Sequence, residues 1–388
     1  MISSRGPSLP PALWPLLFGN FVIGTGVMVV PGTLNELSDS LRVSVASAGQ
    51  LISGGAFMMA VAAPLFAALA AGWDRRRLLA LSLLWFGLLH AACALTDTLA
   101  ELLPLRVLSL VAPAIFTPQA AASVGLLVPL EQRGRAITFI FLGWSVASVV
   151  GMPIASFIGG TLGWRSAFLM VAVMSIVGAA WVWHTLPTGI RPPALSRAAW
   201  MQTLRSPVLM LCVGVTVLSA AGQFVLFSYF APYWHHQLNA TPGDLSLLFL
   251  AFGVAGLLGN VLMMRYISRL GTDRAVMLGL GGIAISLLAW PLGVTLWTTV
   301  LVCIPWALGC FSSNSAQQAR LVGLAPDLAS ASVALNTSAL YIGQAMGAAI
   351  GGLVIATGDF GLLSWVALVA LAAAMGVSAL ARRVGPAH

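Results

Sequence analysis

The chain is 388 residues long, 59% hydrophobic and only 7% charged, too apolar to clothe a soluble globule in polar side chains. Its formal charge of +8 rests on 18 arginines and no lysine, so every basic side chain is a fixed charge. The arginines sit at the ends of apolar runs, not in a basic patch interleaved with aromatics, which excludes a nucleic-acid partner.

Arg5 and several prolines precede a first apolar run over 12–34, too long for a signal-peptide core and without a small-residue cleavage site. It reads as a retained first span. Further apolar runs follow at 45–71, 78–96, 99–127, 136–160 and 165–186, then at 207–234, 244–268, 275–293, 296–322, 330–357 and 361–381. Each is about long enough to cross ~30 Å of hydrocarbon at ~1.5 Å per helical residue. An unpaired backbone in lipid costs several kcal/mol per group and no barrel-like alternation appears, so these twelve spans are predicted to be helices.

Charge placement supports this count. Arg5, Arg75, Arg76, Arg77, Arg133, Arg135, Arg191, Arg197, Arg205, Arg265, Arg269, Arg274, Arg320, Arg382 and Arg383 are predicted on one side. The other side receives Arg42 and Arg165 with Glu36, Asp39, Asp97, Glu101, Asp244 and Asp359. Because basic residues are retained in the cytoplasm, the expectation is a multi-pass inner-membrane protein with both termini cytoplasmic.

The connection over 187–206 carries Pro187, Pro192, Pro193 and three arginines, and reads as a cytoplasmic linker. It would join a six-helix bundle over 1–186 to another over 207–388. Asp74-Arg75 recurs as Asp273-Arg274 and Gly54 as Gly253, 199 residues on; Gly143 and Gly151 recur as Gly343 and Gly351, 200 on. Two repeated six-span halves describe a transporter with its substrate path between them. The predicted fold class is therefore an all-α membrane protein, twelve transmembrane helices in two pseudo-symmetric six-helix bundles. Cys93, Cys212, Cys303 and Cys310 all lie in apolar runs and fit no metal motif, so no metal or cofactor is expected.

The densest charge is Asp74-Arg75-Arg76-Arg77, a short turn between the second and third spans. On charge alone it is an orientation signal, with a gate as the further reading. In its setting the chain resembles a major facilitator superfamily transporter along essentially its whole length. It is similar within that superfamily to the twelve-span drug:proton antiporters, especially the sugar- and arabinose-efflux branch. That family's signature here is a glycine, three residues, Asp-Arg and more basic residues; Ala70 stands in the place of the glycine. The family's arginine inside helix 4 is matched by Arg106. Its helix 5 signature is approached by Gly151-Met152-Pro153 and Gly159-Gly160, where Met152 interrupts the usual Gly-Pro. Gly49-Gln50 also suits the branch.

The resemblance implies alternating access, with protons as coupling ion, and export of a small organic molecule such as a sugar, nucleoside, amphenicol or lipophilic cation. A monomer in the lipid bilayer is expected. The superfamily's cavity helices 1, 4, 7 and 10 would place Asn20, Thr25, Arg106, Gln119, Gln223, Phe227 and Asn314 on the binding surface. Arg106 would bind an anionic group, tune a carboxylate, or simply snorkel to the surface. With no acid deep in a span, the proton candidates are Glu36, Asp39, Glu101 and His90; the alternatives are solvated loop acids and a packing histidine. Asp74 would meet a helix N-terminus or Arg135 in a cytoplasmic gate with Arg75, Arg76 and Arg77. Gly143, Gly151, Pro153, Gly343, Gly347 and Gly351 would form close helix interfaces that let the halves rock, static packing being the alternative.

An uncoupled facilitator or importer remains an open reading, favoured by the lack of a buried acid. A polytopic membrane enzyme is disfavoured by the absence of HExxH, clustered ligands or a nucleophile motif.

Overall fold

A computed structural model describes residues 10–69, 72–129, 132–191 and 197–384. Among these, twelve helices are long and apolar enough to cross a membrane. Spans 1 to 6 are Leu13–Gly32, Val45–Phe66, Arg75–Cys93, Leu99–Val124, Arg133–Leu162 and Trp164–Thr185. Spans 7 to 12 are Pro207–Leu238, Pro242–Leu270, Thr272–Leu292, Leu296–Leu324, Ala331–Ala356 and Leu362–Val384. Arg5, Ala70, Pro192 and Pro193 lie outside the described residues.

Local chemistry sets where the helices begin. Asp74 caps span 3, so the arginines that follow form its first turn instead of a loop. Thr98 and Ser206 cap spans 4 and 7. Thr241 and Thr295 form capping boxes with Asp244 and Thr298 at spans 8 and 10, and Pro207 and Pro242 occupy first-turn positions where no N–H is required. Gly163 reverses the chain between spans 5 and 6 at φ 87°, a conformation that favours glycine.

Two short helices occupy segments expected to be irregular. Leu34–Leu41 follows span 1 and buries Leu34, Leu37, Ser38 and Leu41, the one-sided spacing of an amphipathic helix. Glu36, Asp39 and three polar neighbours break its apolar run, which is why the sequence shows no helix there. Arg197–Arg205 lies in the 187–206 connection.

Spans 1–6 and 7–12 form the two bundles. In the first, span 6 packs on spans 3 and 1, and span 1 also packs on span 5; in the second, span 7 packs on 11 and 12, and span 10 on 8 and 9. The bundles meet along span 2 with span 11 and span 5 with span 8. The end carrying Arg75–Arg77 is the arginine-rich end, and the other is the far end.

Candidate transport site

The contacts between the bundles gather towards the far end. Ser246 Oγ of span 8 donates to the Pro153 carbonyl of span 5 at 3.0 Å. A Cβ at Gly160 would strike the Pro242 ring, one at Gly253 the Ser148 carbonyl, and Gly352 faces the Ala46 backbone. The arginine-rich part of span 5, Arg133–Val146, packs instead on spans 1 and 4 of its own bundle. The seam between spans 5 and 8 is therefore shut at the far end.

At this seam span 5 departs from α-geometry. Residues Ala147–Gly151 form a π-turn in which Met152 N–H reaches the Ala147 carbonyl, just before Pro153, which has no N–H to give. The turn lies between Thr25 of span 1, which a Cβ at Gly151 would strike, and Gly253 of span 8.

The glycine stripe of span 11 does not lie between the bundles. Cβ atoms at Gly343, Gly347 and Gly351 would meet the carbonyls of Val217, Ala221 and Val225, all in span 7 of the same half. Gly143 and Gly151 likewise press on Leu17 and Thr25 of span 1. These are the close backbone approaches that small residues permit inside a bundle. Contacts between the bundles fall on Gly160, Gly253, Gly352 and Pro153, of which the sequence-based set held only Pro153, a distinction that glycine spacing cannot make.

The predicted binding residues divide into two networks, one per half. Asn20 donates to the Ile140 carbonyl at 3.1 Å and accepts from Thr117 Oγ1 at 2.9 Å, and Trp144 Nε1 donates to Thr117 at 3.2 Å. Gln223 accepts from Trp306 Nε1 at 3.2 Å, and Phe227 stands edge-on to Trp306 with ring centres 6.1 Å apart. Thr117, Trp144 and Trp306 were absent from the sequence-based set, because one polar or aromatic residue in an apolar helix does not reveal the direction it faces. Thr25 turns back to the Phe21 carbonyl, Gln119 is buried, and Asn314 Oδ1 is buried without a hydrogen-bond partner among the described residues.

Arg106 is neither at the surface nor beside an acid. It is 1% exposed, giving Nη2 to the Gly26 and Val27 carbonyls at 2.9 and 3.2 Å and Nη1 to His90 Nε2 at 3.0 Å. His90 Nδ1 lies 2.8 Å from the Phe86 carbonyl. A carbonyl can only accept, so Nδ1 carries the proton and Nε2 offers its lone pair to the arginine. Both ring nitrogens are committed, which leaves His90 no role as a proton carrier in this state. The trio ties spans 1, 3 and 4 together. Replacing Arg106 with Met is expected to leave two buried acceptors unpaired, His90 Nε2 and the Val27 carbonyl, which has Pro31 four residues on, at about 1–3 kcal/mol each. A large fall in detergent melting temperature, with substrate affinity of the folded fraction unchanged, would show this; weakened binding in a fully stable variant would contradict it.

Of the acidic candidates, Asp39 and Glu101 are exposed, and Glu101 is spent on the start of span 4, accepting from Asp97 N–H at 3.2 Å. Glu36 differs. Its Oε2 is buried with no hydrogen-bond partner among the described residues, and its Oε1 lies 3.3 Å from where a Gly160 Cβ would sit, beside the Gly160–Pro242 contact. Burial lifts its carboxyl above the ordinary glutamate range; a backbone N–H opposes this and Asp39 adds to it.

The family profile described as Major Facilitator Superfamily matches residues 16–348. The chain belongs to the Major Facilitator Superfamily. It is 28% identical over 354 residues to the inner membrane transport protein YdhP of Escherichia coli K12, covering 89% of each chain. It is 32% identical to a chloramphenicol resistance protein of Streptomyces lividans over 73% of this chain and 72% of that one. A probable sugar efflux transporter of Helicobacter pylori is 26% identical, over 89% and 88% of the two chains. The fold matches a D-xylose-proton symporter with a TM-score of 0.77 at 16% identity, over 96% of this chain and 97% of that one. It also matches a bacterial homologue of the lysosomal transporter Spinster, crystallised inward-facing and unoccupied, with a TM-score of 0.76 at 16% identity over 96% of both chains. The protein is thus a multi-pass membrane transporter of small molecules rather than an enzyme.

The superfamily's charged loop is tied to the start of the 187–206 connection. Asp74 Oδ2 accepts from Gly189 N–H at 2.5 Å and Oδ1 from Arg77 N–H at 3.3 Å, while Arg75 N–H bonds the Ile190 carbonyl. Partial burial pushes the Asp74 carboxyl up, but the N–H donors of Gly189, Arg77 and Arg76 and the Arg77 charge outweigh it and hold the group below the ordinary aspartate range. The tie is therefore intact at neutral pH and weakens only as pH falls through that lowered value. Of its two expected partners, Arg135 is exposed and pairs with no described residue, and the helix N-terminus that Asp74 meets is that of its own span. Asp74→Asn is expected to insert normally yet lower flux several-fold, because a neutral amide must present a donor to one of these N–H groups. Wild-type flux would remove Asp74 from the gate.

The repeated residue Asp273 has a different partner. It lies 2.6 Å from Arg320 Nε, and Arg320 also donates to Ser378 Oγ at 3.1 Å. Arg320 was expected among the charges of the arginine-rich side, near the end of the 296–322 run, and it is buried within span 10. The pairing of spans 9, 10 and 12 at one point was not visible in the linear order.

Proposed function

We propose that this chain exports a small organic molecule across the bacterial inner membrane by alternating access coupled to proton antiport. Both termini are then cytoplasmic, a reading the arginine distribution supports, and the far end is periplasmic. The bundles over 1–186 and 207–388 move as units about the 187–206 connection, each chain forming its own path as a monomer. The conformation with its far end shut is inward-facing in this reading. The sugar efflux and chloramphenicol resistance relatives support export, and networks of Asn, Thr, Gln and Trp in apolar walls suit a small amphiphilic cargo.

The observation that carries the coupling is the partnerless carboxylate oxygen of Glu36 at the closed seam. Burial disfavours an ionised carboxylate there, and a protonated one is the better fit. Proton uptake from the periplasm therefore goes with closing of that side, and in antiport the proton leaves through the inward-open path, after which the ionised carboxylate favours reopening of the seam. Acidification favours the closed seam, and the preference is lost as pH rises through the raised Glu36 value. The test is uptake of labelled candidates, chloramphenicol and arabinose among them, into everted vesicles with and without an imposed pH gradient. Antiport predicts accumulation only with the gradient; equilibration alone would mark an uncoupled facilitator.

A further inference from the structure

The arginine-rich end holds a cavity of about 420 Å³ lined by Gly72, Trp73, Asp74, Arg77, Leu81 and Arg191. Its charges are unevenly used. Both Asp74 oxygens already accept backbone N–H groups, Arg75 donates to the Trp73 carbonyl at 2.9 Å, and Arg76 stacks over Trp183 at 4.9 Å. Arg77 and Arg191 are exposed, and neither guanidinium hydrogen-bonds or ion-pairs with a described residue.

Below Arg77, one face of span 3 presents Leu81, Leu84, Trp85 and Leu88, all exposed, at offsets of four, seven, eight and eleven residues. Trp73, 54% exposed, stands beside the arginines, as indoles do at the membrane–water boundary. Arg77, whose charge also acts on Asp74, and Arg191 stand above an exposed apolar stripe and complement a molecule with a phosphate head and an acyl tail.

We propose that this cavity binds the headgroup of an anionic phospholipid, its phosphate held by Arg77 and Arg191 and a chain laid along Leu81, Leu84 and Leu88. The site belongs to one half only. The residues 199 positions after Arg77 and Leu81 are Val276 and Leu280, both buried. General attraction of basic loops to a negative membrane surface would not single out this pair.

The experiment is native mass spectrometry of the purified full chain with phosphatidylglycerol, phosphatidylethanolamine or glycerol 1-phosphate. The wild type is expected to retain phosphatidylglycerol over phosphatidylethanolamine by roughly tenfold or more. R77Q/R191Q should lose this preference, and R382Q/R383Q, altered at the same end, should keep it. R191Q alone, changed outside any helix, should lose part of it and guards against misfolding of the double variant. An unchanged preference in R77Q/R191Q, an equal loss in R382Q/R383Q, or displacement of the lipid by glycerol 1-phosphate at equal concentration would each overturn the assignment.

Discussion

Glu36→Gln is expected to reduce export driven by a pH gradient roughly tenfold or more, the factor that about 1.4 kcal/mol of lost driving energy produces. Glutamine resembles the protonated acid in shape and neutrality, so the closed seam beside Gly160 and Pro242 should form as before. What disappears is the ionised state. In the parent, deprotonation places a charge against an oxygen with no hydrogen-bond partner, and the strain is relieved when the bundles part and water enters. The variant has no such push, and its closed population should no longer respond to pH. The charged groups in view do not supply a substitute. Asp39 lies on the same helix and is exposed, and Asp244, beside Pro242, is engaged with Thr241 in the cap of span 8. The measurement is flux in proteoliposomes at several imposed gradients, paired with equilibrium substrate binding. Full pH-driven flux in the variant would rule Glu36 out as the coupling group, while equal loss of binding would point to a structural defect.

The architecture was legible in the sequence because membranes impose a length and a sign. Spans needed about twenty apolar residues, and the arginines marked one set of ends. Their predicted limits differ from the observed ones by a few residues, as at span 3, where the Asp74 cap draws Arg75–Arg77 into the first turn. The site was legible only as residue types. Asn20, Gln223 and Phe227 were chosen for being polar or aromatic in particular spans, and the structure joins them to Thr117, Trp144 and Trp306, which have no sequence mark. Arg106 drew attention as a charge within a span, but nothing in the linear order says that its partners are carbonyls of span 1 and a histidine of span 3.

The repeat carries a similar lesson. Arg106 has Trp306 as its counterpart, so one half closes its core with an arginine on carbonyls and the other with an indole on Gln223. Asp74 meets a backbone N–H where Asp273 meets Arg320. Pseudo-symmetry has preserved where the helices run while the polar contacts diverged.

Gly253→Val should be the strongest perturbation of the alternating cycle that leaves each bundle intact. Its Cβ would land on the Ser148 carbonyl and near Val149 Cα across the seam, and backbone atoms cannot turn aside as a long side chain would. Forcing extra atoms into close packing costs about 1–3 kcal/mol, which biases a two-state equilibrium by about 5- to 150-fold against the closed far end. A single cysteine placed near Pro242 should then label more readily from the far side, and transport should fall because the seam must close in every cycle. Gly143→Val provides the contrast. Its added atoms collide with the Leu17 carbonyl and Phe21 nitrogen inside the first bundle, so it is expected to lower melting temperature rather than shift accessibility. If Gly253→Val melted early with unchanged labelling, or if both variants behaved alike, the seam between spans 5 and 8 would not be a moving surface.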